Sequence, residues 1–222
     1  MLRRNQPPHI TRKELFIAQA VLYVAICLQI STWVTSGDLS YGPHPLIIVS
    51  ELVLATILGL SARHPQILAR SLYRTLSFIM LGLISAENIS SVIVVTRLLI
   101  TESDLVTGYN LLASAIAIFL TNIIVFSLWY WEIDSPGLTG KKWSKHDKDF
   151  QFTQQDMGKD FPRWQPSFPD YLYLSLTNAI NFAPADTKPL TIQAKMLMGV
   201  QALVSVFTLA LVVARSVSIL GQ

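Results

Sequence analysis

The residues of this sequence that could do chemistry are polar side chains set inside long apolar runs. Glu87 stands near the middle of the run from Thr75 to Ile100, with Ser85, Asn88, Ser90 and Ser91 around it. An ionisable group at that depth costs about 2.5–3.5 kcal/mol to insert, so it is a default functional candidate. Its other use is to glue helices by hydrogen bonds. Ser90 and Ser91 follow at three and four positions and share its helical face. Glu51, in the run Leu46–Ala62, and Gln29, in the first run, fall at similar depth. They either form a pair or proton-accessible site, or Glu51 reaches the interface. Asn122, beside Thr121, reads as an interhelical hydrogen-bonding residue. Gln201, Ser205, Thr208 and Arg215 recur on one helical face. That stripe is either the lining of a pore or a polar seam against the fourth apolar run.

The elements that must position these groups are membrane helices. Of 222 residues 51% are hydrophobic and only 14% charged, against about 25% charged in soluble domains. Spans are predicted at Glu14–Val34, Leu46–Ala62, Thr75–Ile100, Tyr109–Trp131 and Leu190–Ile219, near the roughly 20 residues a bilayer requires. Trp129, Tyr130 and Trp131 mark an aromatic belt closing the fourth. The chain divides into a leader with four spans (1–131), a polar segment (132–168) and a C-terminal unit (169–222). Aromatic residues recur through the polar segment, which predicts an ordered cap rather than a disordered linker. Counting Lys and Arg, the leader has four, the second loop three, the 132–168 segment six and the first loop none. The positive-inside rule then puts the N-terminus and the 132–168 segment in the cytoplasm.

The C-terminal unit begins with an apolar run, Tyr171–Thr177, too short to cross. A turn-forming segment from Asn178 to Pro189 follows, and then the last span. The order predicts a short re-entrant helix, irregular backbone and a full crossing, since non-helical backbone at membrane depth survives only when surrounded by protein or a water-filled cavity. The stretch resembles the pore loop and inner helix of tetrameric cation channels. Laid against their pattern without a gap, Ser175 falls on the pore-helix Ser, Asp186 on the Asp after the filter and Pro189 on the nearby Pro. Asn181, Phe182, Ala183, Pro184 and Ala185 stand where Thr, Val, Gly, Tyr and Gly would be. Pro184 fixes φ near −65° and the alanines resist φ > 0, so a potassium filter of stacked carbonyls is excluded. The run Tyr171–Asp186 and the helix after Pro189 also resemble a family of functionally uncharacterised bacterial membrane proteins with a domain of unknown function. That resemblance implies no activity.

The expected architecture is therefore all-α: a polytopic membrane protein with five transmembrane helices and one short re-entrant helix. Its partners are the lipid bilayer, further copies of itself (a tetramer on the channel pattern) and a small ion. In such an assembly Ser175, Thr177, Asn178, Asn181 and Phe182 are the loop candidates, and Gln201, Ser205 and Thr208 the inner-helix candidates. Asp186 would ring the mouth with negative charge, which favours cations. The leading expectation is a channel-like protein that conducts or gates a small ion or solute. The alternatives are a non-conducting scaffold or accessory subunit, and a proton-coupled transporter using Glu87. The lone Cys27 excludes an intrachain disulfide and multi-cysteine metal sites. No nucleophile triad, metal-spaced His pair or Gly-rich phosphate loop is present, so neither enzyme activity nor a cofactor is expected. Nothing in the basic residues suggests nucleic acid.

Overall fold

A computed structural model of the chain describes residues 12–36, 44–63, 70–100, 108–134, 148–157, 160–161, 164–181 and 186–220. Its elements in order are α1 (Arg12–Ser36), α2 (His44–Arg63), α3 (Arg70–Ile100), α4 (Gly108–Asp134), β1 (Phe150–Phe152), α5 (Thr153–Asp156), α6 (Phe168–Asn181), β2 (Thr187–Pro189) and α7 (Ile192–Leu220). The fold is all-α apart from the two three-residue strands. α1, α2, α3, α4 and α7 each contain a stretch long and apolar enough to cross a membrane.

α4 is the axis of the bundle. Within its apolar stretch 67% of residues are buried, against 28–39% in the other four long helices. Helix α1 runs antiparallel to it. Ala18 packs with Leu128 and Trp131 at one end, and the Thr35 and Ser114 hydroxyls meet at 2.7 Å at the other. α7 is antiparallel as well: Ser205 meets Asn122 partway along, and Arg215 Nε donates to the Gly108 carbonyl at 3.4 Å near its far end. α2 completes the bundle against α1 and α3, through Ile26, Ala55, Leu58, Met80 and Ile84.

Two boundaries differ from the sequence expectation for physical reasons. α3 begins at Arg70 rather than Thr75, because Arg74 does not stay in a loop. Its guanidinium lies 5.5 Å from the centre of the Phe78 ring one turn on, a cation–π contact. α6 begins at Phe168 rather than Tyr171 and extends to Asn181. Asp170 caps the helix start by reaching back to Ser167: its Oδ2 accepts from the Ser167 amide at 2.8 Å and from the Ser167 hydroxyl at 2.7 Å. An acidic residue three positions after a Ser satisfies the backbone amide of that Ser this way. Pro169 sits in the first turn, where its missing N–H costs nothing.

The aromatic belt is the clearest correction. Tyr130 and Trp131 are buried, not aimed at the interface. Tyr130 meets the edge of Phe150 at 5.2 Å and Trp131 that of Phe168 at 5.4 Å. Trp129 donates its indole N–H to Ser85 Oγ at 2.9 Å. The rings are taken up because β1 and α6 lie over the end of α4 and bring aromatic residues of their own.

The same end of the bundle gathers the chain on both sides of α6. β1 pairs antiparallel with β2, Phe150 opposite Pro189 and Phe152 opposite Thr187. The Thr153 amide donates to the Asp186 carbonyl at 3.1 Å, and the Leu190 amide to the Asp149 carbonyl at 2.8 Å. The 178–189 stretch therefore ends in a strand rather than in irregular backbone throughout. Thr191 caps α7, accepting from the Ala194 amide at 3.2 Å while its hydroxyl donates to Asp149 Oδ1. α6 and the segment after it start and finish at one end of the bundle.

Candidate functional site

The polar residues of the C-terminal half converge in the wedge between α4, α6 and α7. Gln201 is at its centre. Its Nε2 donates to the Ser175 carbonyl at 2.9 Å and to Ser175 Oγ at 2.6 Å. Its Oε1 accepts from the Tyr130 hydroxyl and, at 2.8 Å, from Asn178 Nδ2. Ser175 Oγ in turn donates to the Ile123 carbonyl at 2.6 Å. Asn178 Nδ2 also lies 3.1 Å from the Met198 carbonyl and 3.3 Å from the Tyr130 hydroxyl. One turn further along, Asn122 Nδ2 donates to Ser205 Oγ at 2.9 Å and to the Gln201 carbonyl at 3.3 Å. Thr208 is buried on the same face and donates to its own helix at the Val204 carbonyl, 2.6 Å away.

This geometry decides between the two readings of the Gln201–Ser205–Thr208 stripe. All three side chains are fully buried inside a single copy of the chain; Gln201 meets α4 and α6 and Ser205 meets α4. The stripe is a seam and not a pore lining. Ser175 and Asn178 belong to it too. The reason is energetic: a polar group in apolar surroundings costs several kcal/mol unless bonded, so the groups bond one another and fix the three helices in register.

The loop candidates separate accordingly. Thr177 is half-buried and donates to its own helix, at the Tyr173 and Leu174 carbonyls. Asn181, at the end of α6, is exposed, and Asp186 is half-buried. Phe182 lies outside the described residues.

A second polar cluster ties the cap to the bundle, and its hub, Asp134, carries no signal in the sequence. Asp134 Oδ1 accepts from the Asp149 amide at 2.6 Å and the Phe150 amide at 3.0 Å, and Oδ2 accepts from the Tyr171 hydroxyl at 2.7 Å. Burial pushes the Tyr171 phenol well above its ordinary range, and the Asp134 carboxyl beside it adds to the rise. The phenol thus stays protonated and remains a donor. An Asp at the end of an apolar run reads as an ordinary helix terminus; only the fold brings two amides and a phenol to it. The Ser167–Asp170 pair was legible as a capping pattern and gives the true start of α6.

The intramembrane candidates of the first half also converge. Glu51 on α2 is fully buried, Gln29 on α1 stands beside it, and Glu87 on α3 acts on it electrostatically. Gln29 Nε2 points to the Ile84 carbonyl at 3.4 Å. Glu51 does not reach an interface, because α1 and α3 close over it. Asn88 is buried next to Glu87 on α3. Asn122, expected to bond between helices, does so.

Among the described residues no group of three or more His, Cys, Asp or Glu is placed to hold a metal ion. Comparison with known proteins brings no relative to this arrangement: no family model, curated protein or solved structure matches the chain.

Proposed function

We propose that the chain is a channel-like integral membrane protein in which α4, α6 and α7 form a pore-type module, and that several copies assemble to conduct or gate a small ion or solute without potassium selectivity. One observation carries this reading. A 14-residue helix is wedged between two membrane-length helices, and the chain on either side of it is tied to the same end of α4. In a bilayer this makes α6 a re-entrant helix rather than a sixth span. With Ser175, Asn178 and Gln201 committed to the seam, the groups left for a constriction are Thr177, Asn181 and Asp186. The outer flanks of α6 and α7, with Tyr173, Ile180, Leu203 and Phe207 exposed, would meet other copies or lipid. The basic-residue count supports a cytoplasmic N-terminus and a cytoplasmic mouth for the loop.

Ion flux through reconstituted protein tests this. Wild-type protein conducts, and Asp186→Asn lowers cation over anion permeability because it removes one negative charge per subunit from the mouth. Absence of wild-type conductance, together with a monomer in detergent, defeats the proposal. It would leave the scaffold reading, which the seam favours in that its hydrogen bonds from Gln201, Ser175 and Asn178 close within one copy.

A further inference from the structure

A cavity lies between α1, α2, α3 and α4, at the end of the bundle where α4 reaches Asp134. Its deeper part is apolar, set by Leu22, Ala55, Met80 and Leu128. The polar groups on its wall stand nearer the helix ends: Gln19, Tyr73, Ser77 and Glu132. The Gln19 amide is folded over Gly59, where a methyl group would come within 1.7 Å of its nitrogen. Tyr73 is the side chain that a ligand would satisfy. It is 6% exposed, yet its hydroxyl has no hydrogen-bond partner. A buried hydroxyl without a partner is costly, and one that lines a cavity is completed by a molecule bound there. An apolar cavity with a few convergent polar groups is the usual form of a small-molecule site.

We propose that this cavity binds a small aliphatic ammonium, with its head at Tyr73 and Glu132 and its carbons on the apolar floor. The Tyr73 oxygen accepts a hydrogen bond from the ammonium, and the Glu132 carboxyl on the α4 wall supplies the opposite charge. An anionic head would be repelled by that carboxyl. A bare metal ion finds one carboxyl in the cavity wall and, among the described residues, no group of three metal ligands. The volume sets the size of the ligand. The cavity measures about 50 Å³, and a single water needs about 10–15 Å³. The space therefore takes roughly four non-hydrogen atoms, as in a primary amine of three carbons. The site is built from α1–α4 and makes no use of α6 or α7, so it stands independently of the pore reading.

The test uses the full chain purified in detergent, with thermal unfolding midpoints measured at neutral pH against n-propylammonium chloride. Sodium propionate and sodium chloride at the same ionic strength are the controls. A ligand bound only by the folded state stabilises it by mass action. The wild-type midpoint rises saturably with propylammonium and not with either control. Tyr73→Phe, which removes only the hydroxyl, weakens the apparent affinity about tenfold, since a hydrogen bond to a charged head is lost. Without ligand, Tyr73→Phe does not lower the midpoint, because the hydroxyl it removes has no partner in the fold. Should Tyr73→Phe not fold, Glu132→Gln decides: it keeps the shape of the wall, removes the charge, and weakens propylammonium binding at least several-fold. No saturable rise in wild type overturns the proposal. So does an affinity that the variant leaves unchanged, or a ligand-free midpoint that Tyr73→Phe lowers, which would mean that the hydroxyl is already bonded and serves the fold.

Discussion

Replacing Gln201 with Leu asks whether the α4–α6–α7 wedge is held by its polar seam. Leu keeps most of the volume and removes four contacts: Nε2 to the Ser175 carbonyl and hydroxyl, and Oε1 from Tyr130 and Asn178. Interhelical hydrogen bonds in membrane proteins average about 0.6 kcal/mol, so four of them come to about 2.4 kcal/mol. The groups left behind are unequally hurt. Ser175 still donates to the Ile123 carbonyl, and Asn178 still reaches Met198 and Tyr130. The buried Tyr130 hydroxyl loses its acceptor, which adds roughly 1 kcal/mol. The expected loss is about 3 kcal/mol, on the order of a hundredfold in the unfolding equilibrium. Denaturing-detergent titration of the purified protein in mixed micelles, followed by circular dichroism, measures it. Tyr130→Phe removes only part of the network and loses about 1 kcal/mol. In a double-mutant cycle the two changes are non-additive, because they share one bond. A loss below about 0.5 kcal/mol, the size of ordinary surface changes, would refute the seam. If it came with altered ion selectivity, Gln201 would be facing a pore after all.

Three further outcomes follow from the same structure. Asp134→Ala strands two backbone amides and the Tyr171 phenol, and loses roughly 3 kcal/mol or more; loss of the cap shows as faster proteolysis within 135–167 while the bundle stays folded. Tyr171→Phe, which removes one donor to Asp134, loses about 1 kcal/mol in the same titration; an unchanged midpoint would mean that Asp134 does not anchor α6. A single cysteine at Ser144, in a Cys27→Ser background, stays unmodified by an impermeant reagent on intact cells and reacts after permeabilisation. Labelling of intact cells would reverse the cytoplasmic assignment.

What the sequence determined by itself is the class of the molecule and the polar residues that matter. Apolar runs of spanning length are a local property, so the five long helices were legible from composition and length. So were Glu51, Glu87, Asn122 and Gln201, because a polar residue in an apolar run is conspicuous wherever the run packs. The end of α4 at Asp134 and the early start of α6 depended on single contacts that a span pattern blurs, although Ser167 and Asp170 announced the latter. Only the tertiary structure decided what the polar residues face. Helical spacing places Gln201, Ser205 and Thr208 on one side of α7, but a pore lining and an interhelical seam have the same periodicity. They differ only in which neighbour the side is turned toward, and here that neighbour is α4 with α6. The same holds for Tyr130 and Trp131, which belong to an interface pattern until β1 and α6 cover them. It holds also for Gln29, Glu51 and Glu87, which lie on three separate helices. Their nearness is set by how α1, α2 and α3 pack, and no local pattern along the chain encodes it.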